Sequence, residues 1–331
     1  MNDEPAAVEA IDLVKRFGDF TAVDGVSFSV PAGTVLGMLG PNGAGKTTTV
    51  RMMTTLSQPT SGTARINGFD VREQPGQVRR SMGLTGQAAT VDELLTGREN
   101  LAMIGGLYGI GRRELRARSD ELLEQFSLTE AGDKVVRDYS GGMRRRIDLA
   151  VSLISAPPVL FLDEPTTGLD PHSRNELWDV LRGLVARGTT LVLTTQYLEE
   201  ADQLADRIVV VDQGRIIADG TPLALKDQAG SASVVATLTH AADLATAHAL
   251  IAPIAGGLSG SGSAEVFLDE AGRSLTLPAG GLADLTTVAQ LLDESGIAVD
   301  DLSLSRPSLD DVFLSLTGHR TAPDEPTEDE T

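Results

Sequence analysis

Lys46, Thr47, Asp163 and Glu164 are the residues whose types and spacing could do chemistry, and that chemistry is phosphoryl transfer. Gly40, Pro41, Asn42, Gly43, Ala44, Gly45, Lys46 and Thr47 fill the phosphate-loop pattern in full. The glycines let successive backbone N–H groups face one anion, and the N-terminus of a following helix adds positive partial charge. Lys46 would reach the β- and γ-phosphates of a nucleotide triphosphate. The Thr47 hydroxyl would bind Mg2+, with Thr48 beside it at the helix start.

These residues need a strand before them and a helix after them. TVLGML is a short apolar run that fits a buried strand, and TTTVRMMTTL can continue as a helix. A second apolar run, Val159 to Asp163, has the profile of a buried parallel strand. An acidic residue at the C-terminal end of such a strand points into the ligand crevice of an open α/β sheet. Asp163 is then the metal-linked carboxylate, and Glu164 can orient and polarise water. Alone, a DE pair after a strand is an ordinary turn; beside a complete phosphate loop it reads as catalytic.

Ser140, Gly141 and Gly142 open a helical run through MRRRIDLAVSLI, and small residues at a helix N-terminus form a second anion site. By itself this is a serine N-cap on an amphipathic helix. With one loop already holding phosphates, a second anion site asks for another explanation.

Composition narrows the function classes. The chain has 331 residues, enough for two domains, and 41% hydrophobic content supports a real core. There is no cysteine and there are four histidines, so neither a disulfide framework nor a Cys or His metal site is expected. No run approaches the roughly 18 apolar residues of a membrane span. The acidic start MNDEPAAVEA lacks a signal-peptide core, so a soluble cytoplasmic chain is expected, peripheral if it works at a membrane. A net charge of −20 argues against nucleic-acid binding. Residues 221–331 carry 17 acidic against 4 basic residues.

Residues 8–226 read as one α/β domain. Its segment of about 91–140 breaks the strand–helix rhythm and reads largely helical. ADRIVVVDQGRIIADG reads as two strands about a DQG turn. A boundary is expected near Lys226–Gly230. Residues 231–318 then read β-α-β-β-α-β with a last helix, a small α+β domain with a ferredoxin-like order. The tail 319–331 reads as disordered.

Taken together and in this order, GPNGAGKTT, YSGGMRRR and VLFLDEP closely resemble the ATP-binding subunit of an ATP-binding-cassette (ABC) transporter, a P-loop NTPase fold with a helical subdomain. The resemblance implies that Ser140-Gly141-Gly142 of one copy binds the γ-phosphate held by the P-loop of a second, in a head-to-tail dimer. It implies that Gln87 touches Mg2+ and water, that Asp170 lies in the loop crossing the dimer interface, and that Phe17 stacks on adenine. Tyr139 and Met143 stand where the family usually has Leu and Gln. Gln196 stands at the family's γ-phosphate-sensing histidine; glutamine can donate to phosphate but does not titrate. YSGGMRRRIDLA, TTQYLEEADQLADRI and LDDVFLSLTG resemble the daunorubicin-resistance branch in particular. That branch implies a separate polytopic membrane permease and export of a hydrophobic drug. Export of an envelope lipid, a soluble non-transport ABC ATPase and a module that hydrolyses little stand as alternatives.

Overall fold

Among the described residues, three β-sheets organise the protein. The computed structural model describes residues 6–86, 91–229, 232–258, 266–269, 271 and 273–317. Gln87, Gly230 and the tail 319–331 lie outside them. The chain divides into two compact units, Met1–Pro222 and Leu223–Thr331.

In the first unit the elements run β1 (Ala6–Phe17), β2 (Phe20–Pro31), β3 (Val35–Leu39), α1 (Lys46–Met53), β4 (Ser61–Ile66), β5 (Phe69–Asp70), α2 (Pro75–Arg80) and β6 (Met82–Thr85). Then follow α3 (Gly97–Leu107), α4 (Arg112–Gln125), α5 (Gly141–Ser152), β7 (Val159–Asp163), α6 (Pro171–Ala186), β8 (Thr190–Thr195), α7 (Leu198–Leu204), β9 (Arg207–Asp212) and β10 (Arg215–Gly220). The central sheet has the order β10-β9-β3-β8-β7-β6. Its strands are parallel except for β10, which returns antiparallel from β9 through Gln213 and Gly214, both at positive φ. Positive φ at both central residues suits a two-residue hairpin turn. Every residue of β3, β7 and β8 is buried. That explains why these strands are unbroken apolar runs rather than alternating ones.

A second sheet, β2-β1-β4-β5, is antiparallel. This sheet lies outside the simple strand–helix alternation read from the sequence. Its strands β1 and β2 are 12 residues each and pair with several register shifts, which blur the period-2 pattern. In the segment 91–140, helices occupy Gly97–Leu107 and Arg112–Gln125, and much of the rest is turns. Helix α3 opens with a capping box: Thr96 accepts from the Glu99 amide and the Glu99 side chain accepts from the Thr96 amide.

The second unit begins within α8 (Pro222–Ala229) and continues with β11 (Ser233–Leu238), α9 (Leu244–Leu258), β12 (Phe267–Asp269), β13 (Ser274–Pro278), α10 (Leu282–Glu294), β14 (Val299–Ser305) and α11 (Leu309–Thr317). Its antiparallel sheet has the order β12-β13-β11-β14. Strand β11 alternates half-buried and buried residues, turning Val234, Ala236 and Leu238 into a core with Ala247, Ile251, Val288 and Leu292. Element order and sheet order are consistent with the ferredoxin-like arrangement.

Candidate functional site

Four adjacent parallel strands bring the site together. β3, β8, β7 and β6 end side by side, with Leu39 opposite Thr195 and Asp163 opposite Thr194. The phosphate loop leaves the end of β3, Asp163 closes β7, and Gln196 follows β8. Ligands of open α/β sheets bind at these carboxyl ends.

The loop is clamped by backbone from distant parts of the unit. A Cβ on Gly40 would lie 2.2 Å from the Val211 carbonyl oxygen, and one on Gly45 would lie 2.5 Å from that of Ala22. Gly45 also has φ 107, a conformation L side chains rarely adopt. Only glycine fits at either place. The Gly214 amide donates to the Ala44 carbonyl at 2.9 Å, which fixes the far side of the loop. Asn42 and Gly43 remain exposed at its tip.

Lys46 is 5% exposed, and its Nζ donates to the carbonyls of Gly40 (2.7 Å) and Pro41 (3.0 Å). Burial lowers its pKa, and the nearby carboxylates of Glu164 and Asp163 oppose that shift. Thr47 Oγ1 donates to Asp163 Oδ1 at 3.1 Å, and Thr194 Oγ1 donates to the same oxygen. Hydroxyl and carboxylate oxygens close together are the hard donors that Mg2+ takes, so these residues fit that ion. Glu164 follows with φ 50. Its amide donates to the Thr194 carbonyl at 3.1 Å, and Thr167 Oγ1 lies 3.4 Å from its Oε2.

The remaining candidates lie apart from this knot in character. Ser140 caps α5, accepting from the Met143 amide at 3.2 Å, and Ser140 and Gly141 are exposed. Tyr139 is buried and donates to the Ala131 carbonyl at 2.6 Å. A Cβ on Gly97 would come within 2.5 Å of that phenol oxygen, so a glycine makes room for the tyrosine. Asp170 caps α6, with the Ser173 hydroxyl (2.6 Å) and amide (3.0 Å) donating to it and holding its carboxyl below the usual range. Phe17 ends β1, is 55% exposed and carries Lys15 Nζ 5.0 Å from its ring centre. It pairs with Phe20 across the hairpin, two residues ahead of the Ala22 that touches Gly45. Gln196 is half-buried.

Three participants were not singled out from sequence. Thr194 could have been found from its place at the end of a buried strand beside Asp163. Arg145 gives no such signal, being one of three consecutive arginines. Glu200 sits in the acidic run LEEAD of α7 yet is fully buried. Among the described residues, neither of its carboxyl oxygens meets a donor at hydrogen-bond length. Burial pushes its pKa up, against the opposing pull of Thr195, Thr166, Trp178 and Arg174.

Strand, clamped loop, helix and adjacent carboxylates define a P-loop nucleotide hydrolase. The family model described as ABC transporter matches residues 23–167. The daunorubicin resistance ATP-binding protein DrrA2 of Streptomyces coeruleorubidus is 54% identical over 316 residues, covering 95% of this chain and 96% of that protein. A solved ATP-binding subunit of an ABC transporter is 29% identical with TM-score 0.62, covering 67% of this chain and 92% of that one. A dimeric ATP-binding cassette, solved after hydrolysis with ADP and phosphate bound, has TM-score 0.60 at 24% identity, covering 65% of this chain and 98% of that one. This chain belongs to the daunorubicin-resistance branch of the ABC transporter ATP-binding family. Binding and hydrolysis of ATP are its chemistry.

Proposed function

We propose that the chain is the ATP-binding subunit of an exporter and drives a hydrophobic drug through a separate polytopic membrane subunit. The observation that carries this reading is likeness to a drug-resistance ATP-binding protein along nearly the whole length of both chains. No helix among the described residues is long and apolar enough to cross a membrane, and in this reading the separate membrane subunit supplies the path for the drug. The chain is then peripheral, on the cytoplasmic side of the cell membrane. Residues 8–226 form the ATP-binding domain, 91–140 its helical subdomain, and 231–318 an accessory domain.

Each residue has a part in the cycle. The loop amides from Gly40 to Thr48 cradle the phosphates, and Lys46 exchanges its two carbonyl partners for phosphate oxygens. Thr47, Asp163 and Gln87 would hold Mg2+, which when bound neutralises charge developing on the phosphates. Glu164 orients the attacking water, and Gln196 donates to the γ-phosphate without exchanging a proton. Phe17 stacks on adenine. The exposed Ser140-Gly141-Gly142 edge of a second copy closes over the nucleotide, with Asp170 at the crossing. The fold likeness to a dimeric cassette supports that arrangement.

The test is to purify Glu164→Gln from its native cells in mild detergent with Mg-ATP and identify its companions by mass spectrometry. A polytopic membrane protein is the expected companion. A soluble homodimer alone would overturn the exporter reading.

A further inference from the structure

Arg145 is the second of three arginines in the first turns of α5, and the helix sends each a different way. Arg144 turns outward, where Nη2 donates to the Arg137 carbonyl. Arg146 turns toward the Phe126 carbonyl and Glu176. Arg145 turns inward and its side chain is 13% exposed. Its Nε donates to the Pro165 carbonyl at 2.8 Å and its Nη1 to the Gly86 carbonyl at 2.9 Å. Its Nη2 donates to the carbonyls of Asp163 (3.2 Å) and Glu164 (3.0 Å). One guanidinium thus holds the carbonyls of three consecutive residues, two of them the site's carboxylates.

A planar fork of five N–H groups can do this, and an ammonium cannot match it. Asp148, on the next turn of α5 and 3.7 Å from Nη1, supports the charge in its buried position. The grip falls where the backbone needs it. Glu164 sits at φ 50, which non-glycine residues rarely adopt. Its amide is tied to Thr194 on one side, and its carbonyl is tied to Arg145 on the other. The same end of the helix carries the exposed Ser140 cap.

The geometry points to Arg145 as a positioning residue that locks the backbone of the catalytic carboxylate to the helix receiving the second copy's phosphate. It acts on the reaction through the backbone turn of Asp163, Glu164 and Pro165 that it holds, and it rests on the assignment of Glu164 as the water-orienting group. Arg145 thereby ties the turn that aims Glu164 to the helix that Ser140 caps.

The experiment is a double-mutant cycle on the full chain, read by phosphate release and by equilibrium ATP binding. Arg145→Gln is expected to lower kcat about tenfold or more, as misplacement of a catalytic group does, while ATP affinity stays within about threefold. In a Glu164→Gln background the same substitution is expected to cost a clearly smaller fraction of the residual single-turnover rate. An equal fractional loss in that background, or a loss in ATP affinity instead of kcat, overturns the inference. If Glu164→Gln alone turns over like the unmodified chain, the assignment of Glu164 fails first. Should Arg145→Gln not fold, Arg145→Lys carries the test, with the same direction and a smaller loss expected.

Discussion

The phosphate loop and the Ser140-Gly141-Gly142 helix start are both glycine-bearing anion sites, and they are built for opposite situations. The first is gripped on every side. Lys46 ties its two ends, Gly40 and Gly45 lie against backbone carbonyls, and Gly214 anchors Ala44. The second is open on its outer edge. A Cβ on Gly141 would meet nothing within 4 Å and the capping serine is exposed, while Gly142 is half-buried against Ser173. A cradle finished in advance suits a phosphate that the chain itself carries. An uncovered helix end suits a phosphate brought by another copy.

The largest way to break this contrast is Lys46→Ala. Loss of the loop's one buried cation is expected to lower ATP turnover by roughly a hundredfold or more, measured by phosphate release. Normal turnover would remove the loop from its assigned role. Next comes Gly141→Asp, whose Cβ has nothing within 4 Å and whose carboxylate would stand against an arriving phosphate. Hydrolysis is expected to fall about tenfold or more, with ATP binding by the isolated chain nearly unchanged. An equal fall in binding would mean that this helix start serves the chain's own nucleotide.

Packing sharpens the comparison at smaller scale. Gly45→Ala forces a Cβ toward the Ala22 carbonyl at a left-handed φ and is expected to cost more than about 1 kcal/mol of stability. Gly141→Ala is expected to stay within about 0.5 kcal/mol. Thermal unfolding of the pair decides it, and equal shifts would erase the contrast.

The smallest effect concerns the two buried carboxyls behind the loops. Asp163 accepts hydrogen bonds from the hydroxyls of Thr47 and Thr194. Burial pushes the Glu200 pKa up. Below the unfolded pKa of about 4.3, Glu200 is protonated in both states and adds no pH-dependent cost. Above it, the unfolded chain ionises first, so stability drains as pH rises toward the folded pKa. Glu200→Gln removes that loss. Its melting temperature relative to the unmodified chain is expected to be a few degrees better at about pH 8 than at about pH 5. A difference independent of pH would mean that Glu200 is ionised at no such cost.

What could be read in advance was what is local along the chain. Gly40 to Thr47 and Val159 to Glu164 announce themselves because their contacts follow one another in sequence, and buried parallel strands are continuous apolar runs. The hairpin at Gln213-Gly214 was legible for the same reason. Arg145 was not, because three arginines in a row look alike until the helical rotation sends one inward. Glu200 looks like solvated charge in LEEAD until α6 and the end of β8 cover it. The antiparallel sheet of β1 and β2 escaped because register shifts spoil its alternation. Gly40 was legible as a loop glycine, but its need for glycine comes from Val211, far along the chain.

That last contact has a consequence for synthesis. The loop's own residues have emerged by Thr47, yet β3 acquires its neighbours only when β8 and β9 exist, and the anchor on Ala44 arrives with Gly214. A nascent chain therefore carries the motif long before it owns a pocket. ATP cannot serve as an early template for this domain. It can only reward a finished one, since a ligand that binds the native state alone adds stability after that state has formed.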